Sequence, residues 1–179
     1  MKKPLLSLLI QHIAVLALGI AIFLLDKYEQ FPARINYLIL ITVALGKSFY
    51  FLAHNFRSVR LVKGIQRTYN TFLTLMSINI LLILISFAID FFTLYQIYPS
   101  SFTGILASSS EDTFVEFLYF SLVTFTTTGF GDIVPRTNEA RILISMEIVL
   151  AFISIIFIIS NFGSLVEHVQ DQDIQDRTS

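Results

Sequence analysis

The chain has 179 residues, 55% of them hydrophobic and only 14% charged, with a mean hydropathy of +0.74. A soluble domain carries roughly 25% charged residues, so this balance points to a protein embedded in a membrane. A formal net charge of −1 says nothing about nucleic acid, for which the distribution of charge matters and which is not expected as a partner, and the absence of cysteine excludes disulfides and thiolate metal sites.

A membrane-spanning helix needs about 20 mostly apolar residues. The first candidate covers residues 4–25, behind Lys2 and Lys3. That start has the look of a signal peptide, but the apolar run is long for one, and a retained helix is expected. Gln11 and His12 interrupt it and are expected to face another helix. A polar loop containing Pro32 leads to a second span over 35–53, with Lys47 inside it; residues 1–53 thus read as an N-terminal pair of helices. Lys47 is expected to extend its ammonium to the cytoplasmic headgroups.

Residues 54–71 are less apolar. At roughly 100° per residue Arg57, Arg60, Lys63 and Arg67 fall on one arc, with Val59, Leu61, Val62, Ile65 and Tyr69 opposite. That pattern predicts an amphipathic linker helix in the membrane interface, its cations toward anionic lipid headgroups. A voltage-sensor helix has similar spacing, but it carries its charges within an apolar span, and only two spans precede this segment.

A third span is expected over 72–95, with Phe91, Phe92, Tyr95 and Tyr98 as interfacial aromatics and Pro99 as its stop. After a small, polar loop, Thr113 and Glu116 read as a capping box opening a helix that ends near Phe125. At 1.5 Å per residue that helix is only ~18 Å long, too short to cross a bilayer, so it must re-enter. Non-helical backbone beyond it is tolerable only inside protein or facing water. A fourth span follows Pro135 and ends near Val166. The pore region is read as 72–169, followed by an acidic cytoplasmic tail over 170–179. Asp90 and Glu147 lie inside spans at similar depth, and both a functional role and simple hydrogen bonding between helices are open for them. The basic residues at 2, 3 and 57–67 place both termini in the cytoplasm and the re-entrant loop outside.

Between the short helix and the fourth span lies Thr126-Thr127-Thr128-Gly129-Phe130-Gly131-Asp132. Glycines alternating with larger residues permit left- and right-handed torsions to alternate, which turns successive carbonyls the same way. Several such strands around an axis form rings of oxygens that can replace the water around a cation. The run 121–135, Ser-Leu-Val-Thr-Phe-Thr-Thr-Thr-Gly-Phe-Gly-Asp-Ile-Val-Pro, resembles the pore loop of tetrameric potassium channels, whose filter is commonly Thr-Val-Gly-Tyr-Gly-Asp.

The resemblance implies an all-α integral membrane protein. Its subunit would have four transmembrane helices, a re-entrant pore helix and a filter loop, and would assemble as a four-fold symmetric homotetramer in the plasma membrane. It implies potassium ions bound at the carbonyls of Thr127, Thr128, Gly129 and Phe130 and the Thr127 hydroxyl, with Gly131 shaping the outer mouth and no other cofactor. Asp132 would be held behind the filter by a pore-helix partner, for which Tyr119 is the candidate. Phe152, Ile155, Ile159, Ser160 and Gly163 would line the cavity or gate. Thr128 stands where the family commonly has Val, so a non-selective monovalent cation channel is the nearest alternative. A potassium-transporter subunit is a further one, although such transporters carry four degenerate pore units in one chain. No nucleophile–base pair, metal-ligand spacing or phosphate loop supports an enzyme.

Overall fold

The computed structural model describes residues 33–63, 69–107 and 109–178, with side-chain surroundings for 35–54 and 73–160 apart from 108. The first expected span, with Gln11 and His12, lies outside the described residues, as does Arg67. Numbered from the first described element, α1 is Ala33–Lys63, α2 Tyr69–Ile97, α3 Ser110–Phe125 and α4 Asn138–Thr178. A 3₁₀ turn, Pro99–Ser101, and two short strands, β1 (Phe102–Thr103) and β2 (Val134–Pro135), complete the described elements.

Three of these helices contain stretches long and apolar enough to cross a membrane: Ile35–His54, Leu73–Ile97 and Asn138–Ser160. The chain is a multi-pass helical membrane protein, and among the described residues it carries one small sheet. α3 packs chiefly on α2, and α1 lies against α2 and α4. α1 does not stop at residue 53. It runs unbroken to Lys63, so the backbone of Arg57, Arg60 and Lys63 prolongs the second span, while their side-chain surroundings lie outside the description. α4 likewise carries on as helix through Thr178, past Gly163 and into the segment read as a tail.

Three local expectations are corrected: the start of α3, the reach of Lys47 and the place of Phe91. Helix α3 begins at Ser110, one turn before Thr113, because Ser109 is the N-cap. The Ser109 hydroxyl accepts from the Asp112 amide at 3.1 Å and donates to its carboxylate at 2.6 Å. Thr113 instead donates its hydroxyl back to the Ser109 carbonyl, and Glu116 accepts the Leu106 amide at 3.2 Å, tying the preceding loop to the helix. The sixteen residues of α3 rise only ~24 Å, still short of a hydrocarbon core of about 30 Å.

The second correction concerns Lys47, which does not reach for headgroups. Its Nζ lies 2.5 Å from Asp90 Oδ1, with both side chains buried. An isolated charge inside the helical bundle is expensive, and the nearest opposite charge, on α2, displaces the longer route to the interface.

Aromatic packing holds α3 in place. Phe117 meets Phe102 at 5.0 Å and Tyr95 at 5.5 Å between ring centroids, and Phe91 meets Phe120 at 5.3 Å. Two of these contacts are edge-on and the one with Tyr95 is tilted, and aromatic pairs of this kind each contribute about 0.5–1.5 kcal/mol beyond the area they bury. Phe91, read from sequence as interfacial, is fully buried in this cluster, and Phe92 packs against Phe114. The cluster joins α2, α3 and β1, and so fixes the short helix relative to the loop that follows it.

Candidate functional site

The seven residues 126–132 leave the C-terminus of α3 and run to β2. Their first steps are set by the helix end. The Thr127 amide donates to the Thr124 carbonyl at 3.0 Å, while the amides of Thr128 and Gly129 donate to the Val123 carbonyl at 2.9 and 3.3 Å. These bonds use carbonyls that a terminating helix leaves open. They also aim the segment off the end of the helix dipole, whose C-terminus carries about half a negative charge.

Positive φ recurs at every second position: 56° at Thr127, 53° at Gly129 and 79° at Gly131. Thr128 and Phe130 do not share it. Glycine takes such torsions freely, so two of the three positions were legible in the sequence. Thr127 was not. A β-branched residue in the left-handed region is an outlier that costs on the order of 1–3 kcal/mol, and such strain clusters where a backbone is held for a purpose.

Side chains around the segment pair locally. The hydroxyls of Thr126 and Thr128 lie 3.0 Å apart, and Thr126 also donates to the Leu122 carbonyl at 2.8 Å. Thr128 thus finds a polar partner within its own chain. Tyr119 on α3 stands beside Asp132, and its phenol is the main reason the Asp132 carboxyl is held below the usual carboxylate range. Asp132 in turn raises the Tyr119 phenol. Asp132 Oδ1 also accepts the Ile133 amide at 3.0 Å.

The far end of the segment is clamped by a contact the sequence did not reveal. β1 and β2 pair antiparallel, Phe102 opposite Pro135 and Thr103 opposite Val134. Arg136 adds its amide to the Ser101 carbonyl at 2.8 Å and its Nε to the Thr103 hydroxyl at 3.0 Å. Gly104, at φ 95°, follows β1 so closely against Asp132 that a Cβ there would lie 1.8 Å from the Asp132 carbonyl oxygen. Its only signal in the sequence was a lone glycine in a small, polar loop.

All seven residues of the segment are exposed in the single chain, Phe130 to 69%. Phe152, Ile155, Ile159 and Ser160 are exposed on α4, whereas Ala151 is fully buried. Gly163 lies on the same helix, where the side-chain description has ended. Among the described residues, nothing covers the segment or this face of α4.

A family model described as ion channel matches residues 80–168. Two potassium channels are similar to the chain. Two-pore potassium channel 4 of Arabidopsis thaliana is 37% identical over 86 residues, 46% of this chain and 28% of the plant protein. The potassium channel protein kcv of Paramecium bursaria Chlorella virus 1 is 31% identical over 65 residues, 35% of this chain and 69% of the viral protein. The chain therefore spans little more than a quarter of its plant relative and about two thirds of its viral one. No solved structure matches it significantly.

Proposed function

The chain belongs to the ion-channel family, and from that premise we propose that it is the subunit of a homotetrameric, potassium-selective channel of the plasma membrane. Membership of this family makes it a cation-channel-like membrane protein and not an enzyme. The observation that carries the finer reading is the alternation of left-handed torsions at Thr127, Gly129 and Gly131 beyond a helix too short to span. One chain supplies one such strand, and the strand is exposed. Four copies around an axis would cover it and stack the carbonyls of Thr127, Thr128, Gly129 and Phe130 into rings that dehydrate potassium. The apolar residues exposed on α4 would then line a cavity that can close by dewetting. Both termini are assigned to the cytoplasm, with the basic 57–67 stretch near anionic headgroups.

Mass measurement in native membranes should give four chains, and liposome flux should follow the potassium gradient with a reversal potential near that of potassium. A monomer that conducts, or flux against the gradient, would remove this reading. Thr128→Val deletes the hydroxyl contact with Thr126 while leaving Thr126 bound to Leu122. It should preserve or sharpen discrimination against sodium, as read from reversal potentials in mixed gradients. A fall in discrimination would show instead that the Thr126–Thr128 contact maintains selectivity.

The pairing of Tyr119 with Asp132 gives a second test. The Asp132 carboxyl is held low, so the pairing contributes fully above the carboxylate's ordinary value of about 4. It is lost only as pH falls through the lowered folded value. Acidification from neutral to pH 5 should leave it intact, whereas Tyr119→Phe removes it at every pH. The variant should show faster decay of current at neutral pH with assembly unchanged, and equal decay rates would show the pairing to be incidental.

A further inference from the structure

Two polar contacts deep among the helices have no part in the filter itself. Lys47 of α1 binds Asp90 of α2 at 2.5 Å. Ser121, buried in the middle of α3, lies 3.0 Å from the Leu84 carbonyl of α2 and 2.5 Å from Glu147 Oε1 of α4. Lys47, Asp90, Ser121 and Glu147 are each at most 4% exposed. Both contacts are seated on α2, one at Asp90 and the other at the Leu84 carbonyl, and between them they touch all four long described helices.

Donor counting fixes how the inner half works. Ser121 has one hydroxyl hydrogen and two oxygens to satisfy, and the Leu84 carbonyl can only accept. Both contacts are met when Ser121 donates to Leu84 and a neutral Glu147 donates to Ser121. Charge counting agrees, because the single ammonium of Lys47 is already matched by Asp90. Ser121 precedes Thr127 by less than two helical turns, on the helix whose C-terminal carbonyls, Val123 and Thr124, receive the amides of the 126–132 segment. A shift of Ser121 would therefore be carried directly into that segment.

Resting on the channel reading above, we propose that Lys47, Asp90, Ser121 and Glu147 form one brace through which span α1 sets the position of the pore helix. Ser121 and Glu147 are then positioning residues for the filter, and the span preceding the pore unit acts on conduction through a buried polar connection. Apolar packing alone permits sliding between helices. A hydrogen-bonded set favours one register, because a slip breaks both contacts and adds to the buried oxygens already unpaired among the described residues, Asp90 Oδ2 and Glu147 Oε2.

The test uses the full chain, purified and reconstituted. Glu147→Leu and Ser121→Ala should each lower the potassium-to-sodium permeability ratio several-fold or speed the decay of current, with the assembly still formed. Glu147→Gln, which keeps a donor for Ser121 and carries no charge, should recover most of what Glu147→Leu loses. Wild-type selectivity and time course in Glu147→Leu and Ser121→Ala would overturn the brace and leave the channel reading standing. So would a Gln variant as impaired as the Leu variant. Thermal melting of the same protein makes no assumption about conduction. The neutral pair Lys47→Met with Asp90→Asn, combined with Ser121→Ala, should lower the melting temperature by less than the separate shifts added together. Additive shifts would mean two independent contacts and would overturn the proposal. A wild-type chain that passes no cation would refute the channel reading instead, and the melting result would still decide the brace.

Discussion

Gly104→Ala is expected to abolish conduction while leaving the helices folded. The added Cβ would lie 1.8 Å from the Asp132 carbonyl oxygen, 2.8 Å from its carbonyl carbon and 3.2 Å from the Ile133 Cα. Ordinary contact between such atoms lies near 3.5 Å, so the two backbones must part by well over an ångström. Every atom in the way is main chain, and no side-chain rotation can give relief. The β1–β2 pairing and the Arg136 bonds hold that main chain from the other side. The backbone torsion adds to the strain, because φ 95° suits glycine and few other residues. The combined cost should exceed the 0.5–3 kcal/mol of an ordinary substitution in each subunit. Loss of potassium flux with an unchanged helical circular dichroism signal is the expected result. Full flux would mean that the loop and the filter end are not mechanically joined.

Gly129→Ala should be as damaging to current for a different reason. Among the described residues nothing lies within 4 Å of a Cβ built at Gly129, so no clash within them is involved. The penalty is torsional: φ is 53°, and a left-handed alanine costs about 1–2 kcal/mol. In a four-fold assembly the strain is repeated in each copy, about 4–8 kcal/mol in all, and relaxing it turns a carbonyl out of its ring. Thr127 already sits at φ 56° beside it, which leaves the segment little further strain to absorb. Potassium current should disappear or fall sharply while the protein still assembles in the membrane. Unchanged conduction and selectivity would mean that these residues are not the filter. Gly46→Ala is the matched control, since Gly46 lies within helix α1 with open space around its Cα. Alanine there should be neutral or stabilising by up to ~1 kcal/mol.

These three glycines show how legibility divides. At Gly129 and Gly131 the reason for glycine is a torsion, and a Gly-x-Gly pattern beside a short helix announces it within a few residues. At Gly104 the reason is an approach by residue 132, and nothing near position 104 in the chain signals it. Thr127 lies between these cases, because its left-handed torsion is imposed by the helix end and the alternation after it, against its own preference.

The sequence by itself determined the elements whose cause is local. The two apolar runs that became α2 and α4 were legible because hydropathy belongs to a segment whatever surrounds it. That the short helix could not span was legible because its length sets its reach. Tertiary structure alone decided which groups meet. Lys47 and Asp90 are 43 residues apart, and Ser121 and Glu147 are 26 apart. Each had several conceivable partners in the sequence, including lipid headgroups for Lys47. The choice followed from helix packing, which brought one particular opposite charge closer than any solvent. The burial of Phe91 and the seat of Gly104 against Asp132 were settled in the same way. Desolvation, close packing and ion pairing depend on distances between segments, and those distances exist only once the helices have packed.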